Sequence, residues 1–114
     1  PPGSHKARRI EHRVAGGDVN PYIMLTAILG AALTGIEDGV EPPEPITGNA
    51  YALDLPQIPG TWAEAIDAFD TSEMMKRIFA PELIRNFVLT KRQELHYMAE
   101  LTQQEQVDIY LDTV

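Results

Sequence analysis

The sequence predicts a mainly α-helical chain with a single strand near its start, and three observations predict it. Asn20-Pro21 opens a run that is apolar or small from Tyr22 to Ile36. Thr61 with Glu64 and Thr102 with Glu105 have capping-box spacing, and apolar residues at helical intervals follow each pair. Lys6 to Arg13, by contrast, sorts its chemistry only if it is extended, with successive side chains on opposite sides.

The strand motif spans residues 6–14. Arg9, Glu11 and Arg13 fall on one face, and Arg8, Ile10 and His12 on the other. A carboxylate between two guanidinium groups suits a metal ion beside anionic ligands, because carboxylate oxygens take hard cations and Arg forks take phosphate or carboxylate. A solvated strand whose alternating charges pair along its surface has the same pattern. Spacing alone leaves both readings open.

Val14 to Val19 reads as a short loop whose Gly16 and Gly17 give backbone freedom. The helix of residues 20–38 follows. A helix apolar on nearly every face is expected to be buried all round, and Gly39 is placed to stop it. Thr26, Gly30, Thr34 and Gly35 interrupt the run, which falls short of a membrane span. Residues 40–60 form a loop, since Glu41-Pro42-Pro43-Glu44-Pro45 cannot continue a helix and Thr47-Gly48-Asn49 is turn chemistry. A loop of this length is expected to be functional or packed against something else.

Residues 61–114 read as a helical tail. Trp62, Ile66 and Phe69 share one face of a first helix, and Ser72 caps a short second one placing Met74, Met75, Ile78 and Phe79. Pro81 restarts the chain into a longer helix with the stripe Leu83, Ile84, Phe87, Val88, Leu95 and Met98. The Thr102 box introduces a terminal helix with Val107, Ile109, Tyr110 and Leu111.

The formal charge of −8 argues against a general nucleic-acid binder, which must neutralise phosphates. The first thirteen residues carry +3, so the acidic balance belongs wholly to the rest, and the basic head is suited to a local anionic ligand. Without cysteine there is no disulfide, thiolate nucleophile or cysteine-ligated zinc. The start, Pro-Pro-Gly followed by charge, has no signal-peptide pattern, so a cytoplasmic protein without membrane contact is expected. There is no initiator Met, and a lone strand beside an all-apolar helix lacks backbone and packing partners. The chain is therefore expected to be part of something longer.

The sequence resembles the C-terminal portion of the glutamine synthetase family. The residues that carry the resemblance are Lys6-Ala7-Arg8-Arg9-Ile10-Glu11-His12-Arg13, then Asn20-Pro21-Tyr22 with its apolar helix, Gly48-Asn49-Ala50-Tyr51, and the Trp62 and terminal helices in the same order. It implies an ATP-dependent ligase that joins the γ-carboxylate of glutamate to ammonia or an amine through a γ-glutamyl phosphate, on an α+β catalytic domain. It also implies that Glu11 is a ligand of Mg2+ or Mn2+ and that Arg13 is catalytic and engages glutamate. Arg9 and, more weakly, Lys6 would face the nucleotide phosphates. Ring-shaped homo-oligomers, often double rings such as dodecamers, are the implied assembly.

Arg8 and His12 are assigned to structure, and Asn20 to helix capping. Tyr51 aligns with a region where some bacterial members carry an adenylylated tyrosine, but its context here, Asn49-Ala50-Tyr51-Ala52-Leu53-Asp54, differs; a packed loop tyrosine is expected. The Glu11 to Gly16 string and Thr47 to Tyr51 look more like the γ-glutamylputrescine synthetase side of the family. The fragment alone is expected to be inactive, because most of the site lies elsewhere. A reading of another class is a helical assembly module or a catalytically silent relative, supported by the apolar residues of the tail.

Overall fold

A computed structural model of the chain describes residues 5–7 and 9–113. It is mainly α, with helices α1 (Pro21–Glu37), α2 (Trp62–Thr71), α3 (Glu73–Ile78), α4 (Pro81–Ala99) and α5 (Gln103–Thr113). Short 3-10 turns lie at His5–Ala7 and Ala50–Ala52. No helix among the described residues is long and apolar enough to cross a membrane.

Local chemistry sets the helix ends. The Asn20 side chain accepts from the N–H groups of Tyr22 and Ile23 at 3.0 and 3.2 Å, and Pro21 holds the first helical position of α1. At its other end Gly39, at φ 62°, donates to the Ile36 carbonyl while Val40 N–H reaches Gly35. That is the paired hydrogen bonding of a Schellman stop, and the positive φ explains the glycine. Both capping boxes form: Glu64 accepts from Thr61 N–H at 3.0 Å, and Glu105 accepts from Thr102 N–H at 2.8 Å. Ser72 caps α3 through Met75 N–H.

The core is where α2, α3 and α4 meet. Ile66, Phe79, Ile84 and Val88 are buried together, with Trp62, Phe69, Met75, Ile78 and Leu95 packed around them. Phe69 lies between the rings of Phe79 and Phe87, at centroid distances of 5.8 and 5.3 Å. Across the surface, Arg92 of α4 donates to Asp67 of α2 at 2.7 Å and lies 2.9 Å from Asp70.

Two expectations are corrected. Residues 9–14 form no strand, and there is none among the described residues. An extended segment is held by a ladder, and no second strand offers one here. Nor is α1 buried all round. It packs chiefly on α3 and reaches the core with Ile23 and Ala27; Thr34 is its one buried residue, and Tyr22, Leu25, Leu29, Leu33 and Ile36 are exposed. An all-apolar helix needs more neighbours than the described residues supply. The accessible surface, 9787 Å², compares with about 6200 Å² for a compact monomer of 12.7 kDa.

What fastens α1 to α3 is a close approach at Gly30. A Cβ there would lie 2.5 Å from Cγ2 of Ile78. A forked ion pair closes the far end, with Arg77 donating to the two Asp38 oxygens at 2.6 and 3.1 Å. Hydrogen bonding to Arg77 holds the Asp38 carboxyl below its ordinary range, against the opposing effect of burial. Gly30→Ala is therefore expected to destabilise the chain even though alanine is the better helix former. Overpacking costs about 1–3 kcal/mol, against a propensity gain of about 1 kcal/mol. Thermal denaturation of Gly30→Ala, Ile78→Ala and the double variant checks it: the double variant should lose less than the sum of the singles.

Candidate functional site

The predicted site residues lie in the segment before α1. Arg13 donates through Nη2 to Oε1 of Glu11 at 2.5 Å. Residues two apart do not face each other on a helix, so this pairing is that of two side chains leaving the same side of an extended backbone. Arg9 is not drawn in; its Nη1 donates to the Ala7 carbonyl at 3.4 Å. Lys6 is exposed, as is His12, and Arg8 lies outside the described residues. The structure thus joins Glu11 to Arg13 and leaves Arg9 and Lys6 apart from them.

This strip is open to water, with the Arg13 and Glu11 side chains 80% and 57% exposed. An exposed arginine fork and carboxylate can each exchange its partner for a ligand at little cost, because such pairs are worth little in water. No group of three or more histidine, cysteine or acidic side chains able to hold a metal ion occurs among the described residues. Glu11 can offer one carboxylate, and a hard divalent cation needs more oxygen ligands than that. The described residues do not make a metal site by themselves.

The loop of residues 40–60 contributes no packed tyrosine. Tyr51 is fully exposed on a 3-10 turn capped by Asn49, which corrects the expectation of a packed one. Every residue from 40 to 60 is exposed, so no neighbour is there to cover the ring.

A second cluster was not foreseen from the sequence. A groove of about 1390 Å³ runs between the Gly16–Asn20 turn and the faces of α2, α4 and α5, with Asp18, Trp62, Phe87, Lys91, Glu94 and Tyr110 among its lining. Tyr110 Oη donates to Glu94 Oε1 at 2.7 Å, and Lys91 Nζ donates to Oε2 of the same carboxylate at 2.7 Å. Gln106 adds donations to the carbonyls of Met98 and Leu101, so polar contacts fasten α5 to the end of α4. Burial pushes the Tyr110 phenol up to about 12, reinforced by the hydrogen bond to Glu94 and by the charges of Glu94 and Asp18. Burial works to raise Glu94 as well, but the hydrogen bonds from Lys91 and Tyr110 outweigh it and hold the carboxyl below its ordinary range. The Lys91–Glu94 spacing was visible in the sequence; Tyr110 was not, because its approach depends on how the chain turns at Thr102.

Comparison with known proteins places the chain. The family described as glutamine synthetase, catalytic domain, matches residues 1–110. A γ-glutamylethanolamide synthetase of Streptomyces coelicolor is 39% identical over 93 residues, which are 82% of this chain and 20% of that protein. A glutamate–isopropylamine ligase of a Pseudomonas species is 34% identical, covering 95% of this chain and 24% of the relative. A glutamine synthetase of Aquifex aeolicus is also 34% identical, covering 94% and 25%. The chain thus spans about a fifth to a quarter of the length of these relatives. No solved structure matches it.

Two outcomes follow from this geometry. The Glu11–Arg13 pair touches no part of the helical core, so Glu11→Ala and Arg13→Ala should leave the melting temperature of the chain within about 2 °C of the parent; a larger drop would make the pair structural. At the other end, the Tyr110 phenol is raised in the folded chain, so its contribution is complete below pH about 10 and is lost as pH rises toward 12. Glu94 has the opposite sign: its contribution holds above its ordinary value of 4.5 and is lost as pH falls through its lowered one. In a phenolate absorbance titration, Tyr110→Phe should remove a component near pH 12 and leave the rest of the curve in place.

Proposed function

The chain belongs to the glutamine synthetase catalytic-domain family, and from that premise we propose that it is the part of an ATP-dependent carbon–nitrogen ligase carrying one strip of the active site. The full-length protein would join the γ-carboxylate of glutamate to ammonia or an amine through a γ-glutamyl phosphate. The observation that carries this reading is the charged strip itself: Glu11 and Arg13 paired in water, directly ahead of the Asn20-Pro21-Tyr22 helix start.

Arg13 is proposed to hold the glutamate carboxylate and the acyl phosphate, for which its planar fork is suited once it leaves Glu11. Arg9 and Lys6 would lie toward the ATP phosphates. Fixed cations there stabilise the charge that develops on the transferring phosphoryl oxygens. Glu11 would give one oxygen to Mg2+ or Mn2+, with the other ligands supplied from outside these 114 residues. A cytoplasmic ring-shaped homo-oligomer, such as a dodecamer, is the assembly proposed for the whole protein.

An acceptor larger than ammonia is favoured. Relatives named γ-glutamylethanolamide synthetase and glutamate–isopropylamine ligase stand at 39% and 34% identity, among several named glutamine synthetase at 28% to 36%. The resemblance of Glu11 to Gly16 and Thr47 to Tyr51 to the γ-glutamylputrescine synthetase side of the family carries the preference.

ADP release by the full-length protein with ATP, magnesium and glutamate tests the reading. Turnover should depend on an added amine, and Glu11→Ala should lower it by about a hundredfold or more, while the 114-residue chain alone releases no ADP. Saturable turnover with ammonia and none with putrescine, ethanolamine or isopropylamine would refute the larger acceptor. Unchanged turnover in Glu11→Ala would refute the site.

A further inference from the structure

Two parts of the chain carry uncommitted charge of opposite sign at matching intervals. Of the nine lysines and arginines, four lie in the first thirteen residues, and the rest fall between Lys76 and Arg92. Arg77 is taken by Asp38 and Lys91 by Glu94, while Lys76 has only an exposed pair with Glu73. Arg85 has no ion pair among the described residues. Arg92 meets Asp67 and Asp70 through Nη2, and a guanidinium has five N–H donors, so it can take a further carboxylate. A cleft of about 460 Å³ brings Lys76, Arg85 and Arg92 together over Pro81 and Leu89, with Asp70 the one acid lining it among the described residues. Seven residues apart on α4, Arg85 and Arg92 are separated by about 10.5 Å along the axis and about 20° around it. Leu89 lies between them, 54% exposed.

The complementary pattern is Glu41-Pro42-Pro43-Glu44-Pro45. Glu41, Pro42 and Glu44 each precede a proline and are held extended, and the prolines fix their own φ. Such a run favours a polyproline II course, with three residues per turn. Glu41 and Glu44 then leave the same side about 9.3 Å apart, close to the interval between Arg85 and Arg92. Residues 40–60 contain no lysine, arginine or histidine, and neither glutamate has an ion pair among the described residues. Every residue of that stretch is exposed, so the chain's own cleft does not hold it. A backbone already set in its course loses little freedom on docking.

We propose that Glu41 to Pro45 of one copy docks along α4 of a second copy, with its carboxylates on Arg85 and Arg92 and its prolines on Leu89 and Pro81. The second copy is a subunit of the homo-oligomer proposed above, so the contact rests on that assembly and not on the reaction. Lys76 adds a third cation at the cleft. The patch that gives differs from the patch that receives, so successive copies can close a ring. Ion pairs exposed to water add little affinity, and the matched interval contributes mainly register and choice of partner.

Cross-linking within the full-length protein tests this. Isotope-labelled and unlabelled subunits, both carrying Arg85→Lys to supply an amine, are dissociated together, reassembled and treated with a carbodiimide. Links from Glu41 or Glu44 to position 85 should join labelled peptides to unlabelled ones. In a separate variant, Arg85→Glu should weaken subunit association about tenfold, and adding either Glu41→Arg or Glu44→Arg should bring one of the two pairs back to within about threefold. Links confined to single chains would give the cleft to the chain's own loop and overturn the inference. So would an oligomer without these links, or a loss in Arg85→Glu that neither reversal restores. A monomeric full-length protein would overturn the proposed assembly together with this contact. Links between subunits in a protein without ligase turnover would leave the contact standing and remove the proposed reaction.

Discussion

The order in this chain depends on a small knot of side chains, Ile66, Phe79, Ile84 and Val88, buried where α2, α3 and α4 converge. Ile66, Ile84 and Val88 come from helices whose starts are fixed locally, by Thr61 with Glu64 and by Pro81, and Phe79 is the C-cap of α3, whose start is fixed by Ser72. The caps decide where each helix begins, and the knot decides which face turns inward. α1 and α5 are attached to this centre rather than part of it. The first holds through Ile23 and Ala27 at the edge of the knot, Gly30 against Ile78, and the Arg77–Asp38 fork, and the second through Tyr110, Glu94 and Gln106.

That hierarchy explains what was legible in the sequence. Caps, stops and apolar stripes are properties of a few consecutive residues, so Asn20, Gly39, Thr61 and Thr102 announced their roles correctly. The strand at residues 6–14 and the all-round burial of α1 were read from patterns that only distant partners satisfy. Among the described residues those partners are absent, and the patterns remain as an unladdered segment and a bare helix face. Alternation does persist locally, in the meeting of Glu11 with Arg13. The Glu94–Tyr110 contact escaped notice for the opposite reason, since it joins two helices whose relative course no local signal sets.

The charged strip and the helical core are separate in their physics. The strip is wet, paired within itself and free of contact with the knot; the core is dry and nearly free of ionisable groups. Membership in the glutamine synthetase catalytic-domain family concerns both parts, because the match runs from residue 1 to residue 110. The match therefore takes in the charged segment and the helices alike, although neither depends on the other for its local geometry.

The attachment of α1 also has a consequence for how the chain comes apart. Arg77 and Asp38 are separated by 39 residues, much of that span the exposed loop from 40 to 60. Closing such a span costs on the order of 3 kcal/mol in chain entropy before any constant is added, and one helix face with one exposed ion pair must offset it. The α2–α4 unit has no comparable debt. Opening is thus expected to be graded rather than all at once: α1 detaches as a unit, its caps intact, while the three-helix knot stays closed behind it.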